Sequence, residues 1–172
     1  MTFEETVSGL QAGDFSRLAP LFERTRNGDT CTIVKWHEAG RFDGQSTAAA
    51  EAFTCACFNG CVDVAEYFLM RGSDSSGGAG TGLNAFHWAV NRGQLSITRL
   101  LIKHRTPLET TNAYGGTVLG CAVFSAVQEP KLDHLQIIRE LLKAGADVNA
   151  AAFPSGDVDV DEVLKAYGAR AA

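Results

Sequence analysis

Three cysteines lie close together in the sequence, at Cys55, Cys57 and Cys61. A zinc site would need their thiolates to converge on one ion, with zinc–sulfur distances of about 2.3 Å. If the segment is helical, Cys55 and Cys57 point about 200° apart, because each residue advances a helix by about 100°. Free cysteine is also among the most frequently buried residue types. The pattern therefore favours core positions, and no metal ligand is predicted.

Three glycines alternate with other residues at Gly78, Gly80 and Gly82, which gives a weak likeness to a dinucleotide-binding loop. That chemistry needs a strand before the loop and, after it, a helix whose amino terminus faces a pyrophosphate. Here a predicted helix precedes the glycines, and no acidic residue ends a second strand. The composition of residues 75–82 is instead typical of a flexible loop. No cofactor is predicted.

The histidines form no recognisable catalytic group. They stand at four widely separated positions: His37, His87, His104 and His134. No serine or cysteine nucleophile accompanies them in the sequence, although a His–Cys pair built from distant parts of the chain stays open. The sequence therefore predicts no catalytic residue, and a protein that is not an enzyme.

The overall composition is that of a folded, single-domain protein, with 172 residues of which 45% are hydrophobic and 20% charged. A formal charge of −5, with 15 scattered basic residues, disfavours nucleic-acid binding. The amino terminus lacks the basic start of a signal peptide, and no window approaches the roughly 18 apolar residues of a membrane span. An odd number of cysteines indicates reduced thiols. The expected location is the cytoplasm, without membrane contact.

A period of 33 residues organises the chain. Equivalent residues recur at this spacing: Ala56, Ala89 and Ala122; Gly60 and Gly93; Val64 and Ile97. Amphipathic segments flank each turn glycine, as at 47–58 and 63–71, and again at 84–91 and 96–104. A regular period of this length is the signature of a repeat architecture, in which each unit is one pair of helices.

Departures from the period divide the predicted single domain, residues 1–172, into six parts. The segment 27–44 reads as an inserted helix, because it adds about 14 residues to the regular spacing. The third repeat carries seven extra residues near Pro130, which cannot lie inside a helix. The last unit is ten residues short, so it lacks a full first helix. The predicted parts are a cap pair at 1–26, the inserted helix at 27–44, repeats at 45–78, 79–111 and 112–150, and a truncated cap at 151–172.

Two segments carry a resemblance to a known family. They read Asn-Ala-Phe-His-Trp-Ala at 84–89 and Leu-Leu-Lys-Ala-Gly-Ala-Asp-Val-Asn at 141–149. Both resemble the ankyrin repeat, whose motif runs Thr-Pro-Leu-His-x-Ala and ends Gly-Ala-Asp-Val-Asn, and the chain is similar to small stand-alone bacterial ankyrin proteins. The resemblance implies an all-α solenoid of stacked helix-turn-helix pairs with projecting loops and irregular terminal caps. It also implies that the chain binds a protein partner.

Several positions depart from the ankyrin motif. Thr54 and Gly120 replace the histidine of the motif, so only His87 is expected to make the hydrogen bonds that tie neighbouring loops. Arg105 stands where the motif places its terminal glycine. These changes predict repeats of lower stability within an unchanged fold.

The resemblance also implies where a partner would bind, on the concave face and the loop tips. The expected residues are Phe58, Asn59, Leu83, Asn91, Arg92, Tyr114, Phe124 and Ser125. Aromatic side chains and arginine are the types enriched at interaction hot spots. Two alternatives remain open: a structural protein that self-associates, and an enzyme with a pocket near His87 and the inserted helix. The oligomeric state and the identity of the partner are not predicted.

Overall fold

The computed structural model describes residues 1–24, 28–75, 77–78 and 80–171. The sequence Asn-Gly-Asp at 27–29 predicts a turn. Asn27 lies outside the described residues, as do the predicted boundary between 26 and 27 and residues 76 and 79 of the predicted loop. Over the described ranges the structure contains ten α-helices, two 3-10 helices and no strand, which confirms the predicted all-α fold. The α-helices are α1 Phe3–Ala12, α2 Phe15–Leu18, α3 Thr32–Glu38, α4 Ser46–Asn59, α5 Val62–Met70, α6 Ala85–Asn91, α7 Leu95–Lys103, α8 Val118–Gln128, α9 His134–Lys143 and α10 Val158–Ala166. The 3-10 helices are Ala19–Leu21 and Val148–Ala150.

The chain forms two compact units, Met1–Ala85 and Phe86–Ala172. The finer division into six parts stays a prediction. In the first unit α1 packs on α2 and α4, and α4 packs on α5. In the second unit α8 and α9 pack together, and α9 also contacts α7 and α10.

The first unit begins with a well-capped helix. The Thr2 hydroxyl accepts a hydrogen bond from the Glu5 N–H at 3.2 Å, and the Glu5 carboxylate accepts one from the Thr2 N–H at 2.8 Å. This reciprocal pair satisfies two of the backbone donors that every helix start leaves open. The second helix of the predicted cap pair, α2, is short. It ends at Leu18, and Pro20 lies in the 3-10 helix that follows, since proline cannot donate an intrahelical hydrogen bond.

The predicted inserted helix is present as α3. It buries Ile33 and Val34, and its His37 Nδ1 lies 2.9 Å from the Tyr67 hydroxyl on α5. The Trp36 ring meets the edge of Phe3 at 5.4 Å between centroids. The inserted segment is therefore attached by aromatic contacts both to the amino-terminal helix and to the first repeat.

The second unit is tied together by backbone carbonyls and a histidine. The His87 Nε2 lies 3.1 Å from the Gly116 carbonyl oxygen, so the imidazole N–H donates to the loop that leads into α8. This confirms the predicted role of His87 in joining neighbouring loops. The large buried side chains of this unit come from all of its repeats: Phe86, Ile97, Leu101, Leu119, Ile137 and Ile138.

One turn in the second unit carries backbone strain. Arg105 has φ +56°, the only positive φ among the non-glycine residues that the structure describes. Gly72, 33 residues earlier, has φ +72° at the equivalent turn. The left-handed conformation costs a non-glycine residue about 1–2 kcal/mol, because Cβ crowds the backbone carbonyl. The motif's glycine is thus replaced without a change in the turn.

Arg105→Gly is expected to raise the free energy of unfolding by about 0.5–1 kcal/mol. Relief of the left-handed strain outweighs the greater chain entropy that glycine adds to the unfolded state. Urea denaturation followed by circular dichroism measures the difference. The matched control is Gly72→Arg, which should lower stability because arginine would have to adopt the left-handed conformation of Gly72. Open space surrounds a Cβ at that position, so no steric overlap adds to this cost. A loss of stability in Arg105→Gly would contradict the prediction.

Candidate partner-binding surface

The cysteines lie where the sequence placed them, in the core. Cys55 and Cys57 are fully buried, and Cys61 is half-buried. Burial raises the pKa of the Cys55 and Cys57 thiols far above the ordinary range, and raises the pKa of Cys61 to about 11. A neutral thiol is a poor nucleophile and a poor metal ligand. Within the described part of the chain, no group of three His, Cys, Asp or Glu residues is placed to hold a metal ion.

The glycine-rich loop packs against the first unit in its described part. Gly78 is buried, and its N–H donates a hydrogen bond of 2.7 Å to the Glu51 carboxylate. A Cβ on Gly78 would overlap the Leu83 carbonyl, and one on Gly80 would overlap the Gln11 carbonyl. The glycines therefore permit close approach of backbone to backbone, a set of contacts that the composition of the loop does not predict. A carboxylate already meets the Gly78 amide, so the site would repel a phosphate.

A cavity in the first unit lies beside α3 and has a volume of about 490 Å³. Its walls include Cys31, Val34, Cys61, Val64 and Tyr67. Burial raises the pKa of both thiols that line it, whereas a catalytic cysteine needs a lowered pKa. The cavity therefore offers no support for the enzyme alternative near the inserted helix.

The expected binding residues of the first unit take part in internal packing. The Phe58 ring meets Phe15 edge-on, with 5.6 Å between centroids. The Asn59 side-chain amide donates to the carbonyls of Phe15 and Cys55, each at 3.0 Å. Leu83 is half-buried. These contacts join the first repeat to α2.

The expected residues of the second unit divide into a partly buried polar pair and exposed side chains. The Asn91 amide donates to the Ser125 hydroxyl at 2.9 Å, and Ser125 is only 2% exposed. Arg92 is exposed on the turn that follows α6. Tyr114 is 81% exposed at a loop tip, and Phe124 is 65% exposed on α8.

The comparisons with known proteins agree with this geometry. A family model described as ankyrin repeats (3 copies) matches residues 52–152. The chain belongs to the ankyrin repeat family. Ankyrin repeat domain-containing protein 29 of Danio rerio is 36% identical over 67 residues, which are 38% of this chain and 20% of the relative. ANK repeat-containing protein nipk-1 of Caenorhabditis elegans is 33% identical over 111 residues, 60% of this chain and 18% of the relative. The chain thus spans about one fifth of the length of these relatives.

Several exposed apolar residues of this ankyrin repeat protein were not among the predicted site residues. One of them, Leu132, is fully exposed in the connection between α8 and α9. His134 links this connection to α6. Its Nδ1 accepts a hydrogen bond from the Lys131 N–H at 3.0 Å, and its Nε2 lies 3.1 Å from the Asn91 carbonyl oxygen. A single exposed apolar side chain is common on protein surfaces, so Leu132 alone does not indicate a binding site.

The packing of the glycine-rich loop can be tested with Gly78→Ala, for which we expect a large loss of stability. The left-handed conformation of the site, with φ +107°, costs about 1–2 kcal/mol for alanine, and the overlap with the Leu83 carbonyl adds about 1–3 kcal/mol. The matched control is Gly115→Ala, at φ +81°, where the Cβ meets open space. Equal losses in the two variants, measured by urea denaturation, would show that the loop does not pack as described.

The second unit is expected to lose stability below about pH 6.5, the ordinary pKa of histidine. Burial lowers the pKa of both His87 and His134 in the folded protein. A proton on His134 Nδ1 would also face the Lys131 N–H, with Lys131 itself opposing and Asp133 favouring the charge. As the pH falls through 6.5, these histidines become protonated in the unfolded chain while they stay neutral in the folded chain, so unfolding is favoured.

Thermal unfolding measured from about pH 7.5 to about pH 5.5, a window that brackets the histidine pKa, checks this dependence. His134→Gln should flatten the fall of the midpoint with pH, while His104→Gln, which changes an exposed side chain, should keep the parent slope. If the midpoint of His134→Gln fell with pH as steeply as that of the parent, His134 would not contribute to the pH dependence.

Proposed function

We propose that this chain is a protein-interaction module that binds a partner protein through the residues expected from the repeat pattern. These are Phe58, Asn59, Leu83, Asn91, Arg92, Tyr114, Phe124 and Ser125. Ankyrin repeats are in general protein–protein interaction modules. The observation that carries the proposal is the exposure of two aromatic rings in one repeat, Tyr114 at 81% and Phe124 at 65%.

The exposed aromatic rings supply the contact energy in this proposal. Full burial of a Phe side chain contributes about 1.5–3 kcal/mol, and tyrosine is among the residues that dominate interface energetics. The Tyr114 loop is pre-organised, because the Asn112 side chain accepts hydrogen bonds from the N–H groups of Tyr114 and Gly116, each at 2.9 Å. A rigid loop loses little conformational entropy on binding.

The polar members of the set act by positioning. The Asn91–Ser125 hydrogen bond fixes α6 against α8 and so fixes the place of Phe124. Asn59 does the same for the first repeat through its bonds to Phe15 and Cys55. The five free thiols and the formal charge of −5 favour a reducing, cytoplasmic setting and a partner that is not nucleic acid. Among the described residues, none of the helices has the length and apolar character needed to cross a membrane.

The double variant Tyr114→Ala/Phe124→Ala should weaken partner binding by about 30-fold, the equivalent of about 2 kcal/mol for a hot-spot pair. Both side chains are exposed, so folding should persist, and circular dichroism verifies it. Partners are first identified by affinity capture from the native cell, and their dissociation constants are then measured with purified proteins.

Met70→Ala is the matched control, since Met70 is an apolar side chain of similar exposure, 75%, on α5. It should leave the affinity unchanged. Equal binding by the double variant and the parent would contradict the proposed surface. Capture of the chain by itself, with a doubled mass in solution, would favour the self-association alternative.

A further inference from the structure

Helix α8 is packed on the side that faces α6. The Cys121 thiol lies 3.7 Å from the His87 carbonyl oxygen, and the Ser125 hydroxyl accepts from Asn91. Cys121 and Ser125 are four residues apart, so they share one face of the helix. This face is where the first helix of one repeat, α6, contacts the first helix of the next repeat, α8.

A second stripe of α8 is turned by about 100° from that contact face, given 3.6 residues per turn. It consists of Gly120, Phe124 and Val127, which are spaced at i, i+4 and i+7. Gly120 is approached by the Ala150 carbonyl oxygen, which would lie 3.1 Å from a Cβ at that position. Phe124 is 65% exposed and Val127 half-buried. Gly120 is therefore covered by the chain itself, and Phe124 is the most exposed member of the stripe.

The reason for the exposure lies in the repeat period. Asn91 precedes Phe124 by 33 residues and occupies the same repeat position. Asn91 contacts Ser125 on the next first helix, whereas no first helix follows Phe124. Residues 144–157, all of them described, contain only the 3-10 helix Val148–Ala150. Phe124 thus presents a helix-packing face to solvent.

We propose that a single helix of the partner protein takes the place of the absent first helix and packs on the part of the stripe formed by Phe124 and Val127. This inference rests on the proposed function and specifies its partner. The last unit is ten residues short of the period, and ten helical residues span about 15 Å, or about three turns. The stripe carries no charge, so the docking helix is amphipathic, with apolar residues at i, i+3 or i+4, and i+7. A small residue of that helix opposes the Phe124 ring.

Site-specific photo-crosslinking tests the proposal. A benzophenone amino acid replaces Phe124, with the same replacement at Met70 as the control, and the crosslinked partner segment is identified by mass spectrometry. The expected segment has the helical apolar spacing and is crosslinked from position 124 but not from position 70. If the replacement at 124 disturbs folding, the exposed Gln128 at the end of the stripe takes the probe instead.

The identified segment is then made as a synthetic peptide. Its helix signal in circular dichroism should rise when the parent protein is added, and Phe124→Ala should weaken its binding about tenfold or more, as for a hot-spot side chain. An extended segment, a second copy of this chain, or no crosslink from the stripe while the partner is still captured would each overturn the docking helix. Loss of partner binding in Phe124→Ala together with an extended segment would overturn the helix and leave the proposed function standing.

Discussion

The structure depends on one constraint, which is that a helix pair of this length cannot bury its apolar surface alone. Helix α8 illustrates it, because seven of its eleven residues are buried, more than a surface helix with a single apolar stripe would hide. The burial is shared among neighbours: α9 covers one side, and the α6 contacts of Cys121 and Ser125 cover another. Within the second unit, neighbouring helix pairs therefore complete one another's core, and stability there is a sum of such neighbouring contacts.

The same constraint decides how polar groups are used. His87 and His134 both direct Nε2 at a backbone carbonyl of another element, at 3.1 Å in each case. A neutral imidazole satisfies these carbonyls without the desolvation that a buried charge would require. Burial lowers the pKa of both rings, so the bonds that join the repeats hold in the neutral form of the histidines.

Most of the fold could be predicted from the sequence, because turn glycines separate the members of three helix pairs and the period shows where the repeats recur. The helix predicted at 96–104 is observed at Leu95–Lys103, and that at 47–58 at Ser46–Asn59. The contacts of the glycine-rich loop could not be predicted, since Glu51 lies 27 positions before Gly78 and no local pattern joins them. The same holds for Phe58, whose exposure depends on a ring 43 positions earlier, Phe15. Periodicity identifies which residues are equivalent, but the packing of each depends on the neighbour that it meets.

That difference explains why equivalent positions have unlike surroundings. Phe58, Asn91 and Phe124 occupy the same place in successive repeats, yet Phe58 packs on an aromatic ring and Asn91 bonds to a serine. Phe124 meets neither, because the regular succession of helices ends beside it. The two earlier repeats partly bury the residue at this position, whereas Phe124 is exposed. The surface that we propose for a partner therefore arises where the repeat pattern is interrupted.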